Sequence, residues 1–342
     1  FFHSLAVISG AKVQIVSTIK IFHTTFISPS FSVHTIKNYL CNKPRKQASH
    51  GSAPINRHSS LMHDIQQNIH LKTIHMKFKS LIFIVLAASM TCTDIYAENN
   101  RPIDIALWEN GPLEKNDDEG KTYDENVRIY RPSIKVFLPE GKNTGRAVIM
   151  CPGGGYALLA YDHEGYAYAD YFKHQGIALI ILKYRMPHGN HKVPMSDVCE
   201  AMRVVKSHAA EWKINPDDIG IMGFSAGGHL ASTFATHYPA ELRPAFQILV
   251  YPVISMDETI THSGSRENLI GKNPSKALID YYSNEKHVNA ESPRAFIALS
   301  DDDRAVPVEN SLRYYKALHR YQIPVSLHIY PTGGHGLSLI HI

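Results

Sequence analysis

Residues 223–229 of this 342-residue chain are Gly223-Phe224-Ser225-Ala226-Gly227-Gly228-His229. They match G-x-S-x-G, the pattern that places a serine on a sharp turn between a strand and a helix. The mostly apolar residues 218–222 predict a short buried strand, and residues 228–235 predict a helix. A side chain at either glycine would clash in so tight a turn. We expect Ser225 at the top of a sheet; a chance match in a glycine-rich loop is the alternative that the rest of the chain must exclude.

Around this motif, apolar strands alternate with helical segments from residue 126 onward. The predicted strands are two short runs within 127–138, separated by Pro132, and 146–151, 177–182, 218–222, 246–251, 295–299 and 325–330. The predicted helices are 165–174, 195–212, 228–235 and 308–321. Strands that are apolar throughout and alternate with helices favour a mostly parallel sheet covered on both faces, so the expected class is α/β.

The polar, loop-rich residues from about 256 to 292 interrupt this alternation. They lie between two predicted strands, at the end of the sheet where the serine of the motif is expected. Loops in this position commonly carry binding residues. We therefore predict a small insertion that shapes a pocket above Ser225.

The first 97 residues look different from the rest. Residues 1–75 show no sustained helical or strand period, so we expect upstream, non-native and disordered sequence there. Met76 begins a basic segment, followed by an apolar run at 81–89 and a small residue at Ala97, which is typical of a signal peptide. The run is shorter than the about 20 residues needed to span a bilayer. A buried core strand is the alternative to a signal peptide at 76–97.

This division predicts one domain at 98–336, preceded by the signal peptide, and therefore a periplasmic or secreted protein. Residues 337–342 are expected to be a truncated or foreign tail. The formal net charge of +4 owes much to residues 1–97, and no basic stripe interleaved with aromatic residues follows, so we expect no nucleic-acid partner. We also expect no membrane span in the mature part.

Cys151 and Cys199 could form a disulfide or remain two buried thiols.

A serine hydroxyl is a weak nucleophile that needs a base and a group to orient that base. On a fold with this motif the chain order is serine, acid, histidine. Asp303 follows a predicted strand and lies four residues before Pro307, which is the usual spacing, whereas Asp301 and Asp302 favour a solvated loop or a helix cap. His335 lies among glycines after the last predicted strand. We predict a catalytic group of Ser225, Asp303 and His335.

The oxyanion formed during acyl transfer needs fixed N–H donors. We predict the amides of Ala226, Gly154 and Gly155, the last two from Pro152-Gly153-Gly154-Gly155-Tyr156 after a buried strand. A plain turn is the alternative for this segment. The nucleotide-binding pattern G-x-G-x-x-G is absent.

Two further groups of side chains have structural interpretations. His229 adjoins the motif, and we expect it to pack beneath the turn. Several aromatic side chains near the site could stack on sugar rings, although packing is the favoured role for each of them. They are Tyr156, Tyr161, Tyr166, Tyr251, Tyr281 and Tyr282.

From about residue 100 to 336 the chain resembles α/β-hydrolase-fold serine esterases of the acetyl xylan esterase type, which are carbohydrate esterases of plant-glycan-degrading bacteria. The resemblance is carried by residues 151–156, 223–229, 303–311 and 330–336. It implies an α/β-hydrolase fold with Ser225, Asp303 and His335 as the triad. It also implies an acylated oligo- or polysaccharide substrate such as xylan, without metal or cofactor. Such relatives usually continue into a further helix after the histidine.

Two other functions are compatible with these residues. A serine peptidase of the prolyl-oligopeptidase kind has the same fold and the same order of triad residues, but it usually carries a large N-terminal propeller. A catalytically inactive binding protein on this fold would typically lack a triad member, and all three are present here. The acyl group, acetyl or feruloyl, and the oligomeric state are left open.

Overall fold

The computed structural model of the protein describes residues 101–337. The predicted upstream segment 1–75 and signal peptide 76–97 lie outside the described residues, as does the predicted tail beyond Leu337. None of the helices within 101–337 has the length and apolarity needed to cross a membrane.

A single sheet of eight strands forms the centre of the described part of the chain, in the order β1-β2-β4-β3-β5-β6-β7-β8. The strands are β1 Ile103–Ala106, β2 Ser133–Phe137, β3 Ala147–Cys151, β4 Ala178–Lys183, β5 Ile219–Phe224, β6 Phe246–Val250, β7 Arg294–Ser300 and β8 Val325–Tyr330. β2 is antiparallel to both of its neighbours, and the pairs from β4 to β8 are all parallel. The predicted α/β-hydrolase architecture with a mostly parallel sheet is confirmed.

Six α-helices accompany the sheet within residues 101–337. They are α1 Ala169–His174, α2 Val193–Ser207, α3 Ser225–His237, α4 Ser263–Ile270, α5 Lys276–Tyr282 and α6 Glu309–Arg320. α3 packs on β5 and β6 and also against α2, while α1 lies on β4 and α6 on β8. α4 and α5 belong to the insertion that the sequence predicts at 256–292.

Burial of the strands explains their composition. Every residue of β3, β5 and β6 is buried, because these strands have neighbours on both sides and packed elements on both faces. β8 lies at the sheet edge, and its residues are only partly buried, with Ile329 41% exposed. The carboxyl ends of the parallel strands meet at one rim of the sheet.

Two predictions of local structure differ from the fold, and one strand was not predicted. The first of the two runs within 127–138 is not a strand; a 3-10 turn at Glu125–Val127 ends at Arg128, whose φ of 65° is left-handed. The helix expected to continue to Trp212 ends at Ser207, and turns follow. β1 is a strand that no pattern in the sequence predicted.

Candidate active site

Ser225 lies where β5 ends and α3 begins, in the left-handed conformation with φ of 50°. Its neighbours leave no room for side chains: a Cβ on Gly223 would lie 2.1 Å from the Gly227 carbonyl oxygen, and one on Gly227 would lie 2.1 Å from the Cys151 oxygen. This strained turn projects the serine hydroxyl from the rim of the sheet. The predicted strand, turn and helix are therefore present.

His335 reaches Ser225 from the loop after β8, across 110 residues of chain. Its Nε2 lies 2.8 Å from the Ser225 Oγ. Gly333 and Gly334 precede it with φ of 152° and 62°, values that side chains rarely tolerate. The glycines around this histidine thus allow the loop to turn back toward β5.

Asp303, in the loop after β7, contacts the other nitrogen of the histidine. Its Oδ2 lies 2.8 Å from His335 Nδ1, and its Oδ1 accepts hydrogen bonds from the amides of Ala305 and Val306. Burial alone would raise the pKa of Asp303, but the hydrogen bonds from His335, Val306 and Ala305 outweigh it, so this pKa lies below its ordinary value. An ionised Asp303 only accepts, so His335 donates from Nδ1 and its Nε2 is free to accept the serine proton.

The three consecutive aspartates have separate positions. Asp303 is the one that contacts His335, as its spacing from Pro307 predicts. Asp302 is exposed, and its Oδ1 accepts the N–H of Gly334 at 2.7 Å, which supports the loop that carries the histidine. Asp301 is exposed at the end of β7.

The segment Pro152-Gly153-Gly154-Gly155-Tyr156, called the oxyanion loop from here on, follows β3 beside the serine. Every carbonyl from residue 152 to 155 has a donor. The donors are the Tyr184 hydroxyl to Pro152, the Ala160 amide to Gly153, the Ala157 and Leu158 amides to Gly154, and the Asn268 side chain to Gly155. The hydrogen bonds to these carbonyl oxygens therefore fix the position of the oxyanion loop.

The amides of this loop are arranged differently from its carbonyls. Gly153 donates to Glu164 Oε2 at 2.6 Å, while the amides of Gly154 and Gly155 have no hydrogen-bond partner within residues 101–337. Ala226 lies in the first turn of α3, where backbone N–H groups have no acceptor inside the helix. The three amides proposed from the sequence are thus available to an external acceptor.

A cavity of about 410 Å³ opens over Ser225, His335, Gly154 and Gly155. Its wall also includes His262, Gly264 and Asn268, so the predicted insertion does shape this pocket. A larger cavity of about 600 Å³ is bordered by α2 and α5 and contains none of the predicted catalytic residues. The predicted catalytic residues therefore line the smaller of these two cavities.

Three side chains at the site, Glu164, His262 and Asn268, were not named from the sequence, and Tyr251 was named there only as an aromatic residue that could stack on sugar rings. Glu164 and Tyr251 are buried beside the oxyanion loop and the histidine, and His262 and Asn268 come from the insertion. His262 caps α4, since its Nδ1 accepts the Ser265 amide. Burial, together with the nearby His335, lowers the pKa of His262. Glu164, His262 and Asn268 each lie in an ordinary polar stretch of sequence. Only the predicted insertion at about 256–292 indicated that His262 and Asn268 would lie near the site.

His229 packs beneath the turn, as expected, and is fully buried. Its Nε2 lies 2.8 Å from the Tyr282 carbonyl oxygen and donates to it, so its Nδ1 accepts the hydroxyl of Tyr156 in the oxyanion loop. Burial lowers the pKa of His229 to about 4. The neutral imidazole is therefore part of the support of the oxyanion loop.

The aromatic candidates fall into two groups. Tyr156, Tyr251 and Tyr282 are buried and pack against other side chains, whereas Tyr281 is 44% exposed and borders the larger cavity. Tyr161 and Tyr166 pack edge to face against each other. None of the six lines the cavity over Ser225.

Cys151 and Cys199 are both buried free thiols. The alternative of a disulfide between them is therefore not realised. Within residues 101–337, no group of three or more His, Cys, Asp or Glu side chains is placed to hold a metal ion.

Comparison with known proteins shows which family and which relatives the chain resembles. The BD-FAE family model matches residues 134–318. An acetylxylan esterase of Xylanibacter ruminicola is 48% identical over 212 residues, covering 61% of this chain and 44% of the relative. Endo-1,4-beta-xylanase B of Butyrivibrio fibrisolvens is 33% identical over 223 residues, covering 61% of this chain and 35% of that protein. The chain thus spans less than half the length of these curated relatives.

Solved structures extend the comparison. An acetyl ester-xyloside bifunctional hydrolase from Caldicellulosiruptor lactoaceticus superposes with a TM-score of 0.62 at 34% identity, covering 70% of this chain and 89% of that one. A sugar hydrolase from Lactococcus lactis gives a TM-score of 0.54 at 28% identity, covering 67% and 85%.

Proposed function

We propose, from the premise that this chain belongs to the BD-FAE family and has the α/β-hydrolase fold, that it is a serine carboxylic ester hydrolase. Its substrate would be an acylated plant polysaccharide such as xylan, from which it removes acetyl or similar small acyl groups. The observation that carries the proposal is the chain of two 2.8 Å contacts from Ser225 through His335 to Asp303, beside the amides of Gly154 and Gly155, which have no partner in the described part of the chain.

In this mechanism the Ser225 hydroxyl attacks the ester carbonyl carbon and passes its proton to His335 Nε2. The ionised Asp303 stabilises the imidazolium that forms and holds the ring in the required orientation. When the carbon–oxygen bond breaks, His335 returns the proton to the sugar hydroxyl that leaves. Water then hydrolyses the acyl-serine by the same proton transfers and regenerates the free serine.

The negative charge of the tetrahedral intermediate would be stabilised by the amides of Gly154, Gly155 and Ala226. The oxyanion loop is suited to this role because its four carbonyl anchors keep it from rotating during the reaction. Preorganised donors of this kind are commonly worth about 10²–10³ in kcat each.

The proposed substrate class has two kinds of support. One relative is named an acetylxylan esterase, and one solved structure is named an acetyl ester-xyloside bifunctional hydrolase, so both names refer to acetyl esters and to xylan or xylosides. The cavity over Ser225 is also lined by polar groups of the insertion, His262 and Asn268, which can donate to sugar hydroxyls. Acetyl is therefore our first choice of acyl group, and feruloyl is the alternative to test.

The decisive experiment replaces Ser225 with alanine and assays p-nitrophenyl acetate and acetylated xylan. Loss of the nucleophile should lower kcat by about 10⁶-fold. Ser207→Ala, at the exposed end of α2, is the matched control and should keep full activity. Undiminished turnover by Ser225→Ala would exclude the mechanism.

A substrate panel separates the remaining alternatives. Feruloylated arabinoxylan tests the larger acyl group, and proline-containing peptides test the peptidase. Labelling of Ser225 by a fluorophosphonate distinguishes a live enzyme from an inactive binding protein. We expect acetyl esters to be the preferred substrates and the serine to be labelled.

We also propose that the protein is exported, on the sequence of residues 76–97. Expression from Met76 with separation of periplasmic and cytoplasmic fractions tests this. Export should be accompanied by cleavage near Glu98, and an uncleaved product in the cytoplasm would contradict it.

A further inference from the structure

We propose that Glu164 is a positioning residue for the reaction: its buried carboxylate holds the first glycine of the oxyanion loop and, through Tyr251, links that loop to the ring of His335. This inference rests on the proposed function, since it concerns the same site. Neither the triad nor the oxyanion donors account for this carboxylate, which the mechanism above leaves unused.

Glu164 is only 4% exposed, although it carries an ionisable group. A buried carboxylate is strongly destabilising unless hydrogen bonds replace its lost water. Oε2 accepts the Gly153 amide at 2.6 Å, and Oε1 accepts the Tyr251 hydroxyl at 2.8 Å. The exposed His163 lies farther away, with its Nε2 3.9 Å from Oε1. The two short hydrogen bonds are therefore the main compensation for its burial.

The hydrogen bond to Gly153 has a direct consequence for the oxyanion loop. Of its three glycine amides, Gly153 is the one with a partner within residues 101–337. The space here is tight, because a Cβ on Gly153 would lie 2.7 Å from Glu164 Oε2 and 3.0 Å from the Ser225 Cβ. Glu164 thus fixes the peptide at the point where the loop passes the serine, and leaves the next two amides to the substrate.

The hydrogen bond to Tyr251 extends this support to the histidine. The Tyr251 ring lies edge to face on His335, with 5.0 Å between the centroids. Tyr251 follows β6 and has a left-handed φ of 37°, so the surrounding structure holds it in a strained conformation. Burial raises the pKa of Tyr251, and Glu164 raises it further, so the hydroxyl stays a donor. One carboxylate therefore connects the loop after β3 with the loop after β8.

Glu164→Gln and Tyr251→Phe test this role with little change in shape. In Glu164→Gln the amide oxygen can accept from only one side, and the NH₂ group on the other side replaces a charged acceptor by a donor facing Gly153 or the Tyr251 hydroxyl. The phenylalanine keeps the ring on His335 while removing the hydroxyl. We expect kcat on p-nitrophenyl acetate to fall about 10-fold in each, with KM changed less than about twofold, because the support acts on the transition state. Glu211→Gln, an exposed glutamate, is the matched control.

A boronic acid forms a tetrahedral adduct with the serine. Its affinity for the folded enzyme therefore reports on the geometry of the site and would not change if the variants were only less stable. It should fall in parallel with kcat/KM in both variants. The double variant should lose much less than the product of the single effects, since both changes break the same connection.

The Ser225→Ala variant distinguishes failure of the proposed function from failure of the positioning role of Glu164. If turnover by the wild type does not depend on Ser225, the proposed function fails and this inference fails with it. If turnover depends on Ser225 but both variants keep wild-type kcat and boronate affinity, Glu164 is not a positioning residue and the proposed function stands.

Discussion

The two loops that meet Ser225 are held in opposite ways. The oxyanion loop follows β3, a strand buried along its whole length, and its carbonyls at 152–155 all have donors. The loop of residues 333–336, called the histidine loop here, follows the half-exposed edge strand β8, and two carboxylates, Asp303 and Asp302, hold it.

This difference matches what each loop would do. Donors to an oxyanion act through fixed position, so they belong on a rigid, buried support. A base that accepts and returns a proton needs the correct tautomer and a short reach, and a single ionised partner supplies both. The oxyanion loop is therefore held within the core, whereas His335 is itself partly exposed and is oriented by the buried carboxylate of Asp303.

Among changes to the two loops and their supports, breaking the contact between Asp303 and His335 should have the largest effect. In Asp303→Asn the oxygen stays with the Ala305 and Val306 amides, so the new NH₂ group faces His335 and selects the wrong tautomer. We expect kcat to fall by about 10⁴-fold, with little change in melting temperature. Asp301→Asn, on an exposed residue, serves as the control. More than one-hundredth of wild-type activity in Asp303→Asn would mean that this contact does not orient the base.

The buried support of the oxyanion loop predicts a dependence of stability on pH. His229 has a pKa of about 4 in the fold because burial disfavours its charged form, against about 6.5 in an unfolded chain. Between these values the unfolded state binds the extra proton, so the free energy of unfolding falls as pH drops from 6.5 to 4, by about 3 kcal/mol.

Urea unfolding of wild type and His229→Gln at pH 7, 5.5 and 4 measures this term. The stability difference between the two proteins should shrink as the pH falls. His237 has a lowered pKa with the same sign and is present in both proteins, so its own contribution is common to both, although its charge also lowers the pKa of His229. A difference that is constant over this range would contradict the assignment.

A smaller effect on kcat is expected from weakening the support of the oxyanion loop. Tyr184→Phe removes the hydroxyl that donates to the Pro152 carbonyl in a fully buried position. An unsatisfied buried carbonyl costs about 1–3 kcal/mol, and we expect stability to fall by this amount and kcat by about 10-fold. Chemical denaturation and steady-state kinetics measure the two. Tyr315→Phe on α6, outside the site, should change neither.

The smallest effect should come from Asp302→Ala. The Gly334 amide that loses its acceptor lies near solvent, where water can replace the carboxylate, so the cost is about 0.5–1 kcal/mol and kcat should fall only about two- to fivefold. Steady-state kinetics on p-nitrophenyl acetate measures it. If Asp302→Ala impaired catalysis more than Tyr184→Phe, the contrast between the two loops would be wrong.

The sequence was most informative where chemistry restricts the backbone locally. The glycines at 223 and 227 indicated the turn, because any side chain there meets a neighbouring carbonyl. The spacing from Asp303 to Pro307 and the glycines around His335 identified the residues that converge on Ser225. Uniformly apolar strands predicted the parallel sheet.

The sequence was least informative where a residue acts through distant partners. Glu164 and Tyr251 are 87 positions apart, and neither lies in a recognisable pattern. β1 escaped prediction because it is a short strand at the sheet edge, stabilised by its pairing with β2 rather than by its own composition. The helix predicted to reach Trp212 ends early, because apolar spacing continues into turns whose residues are also buried.

Short-range patterns in the chain were thus sufficient to establish the class of fold, the sharp turn at Ser225 and the residues at the strand ends, since steric limits and apolar periodicity act over a few residues. Folding was needed to show how closely Ser225, His335 and Asp303 meet, which donors hold the carbonyls of the oxyanion loop, and that the buried carboxylate of Glu164 contacts this loop. Those properties depend on distances between segments far apart in the chain, and such distances exist only once the sheet has brought the strand ends to one rim.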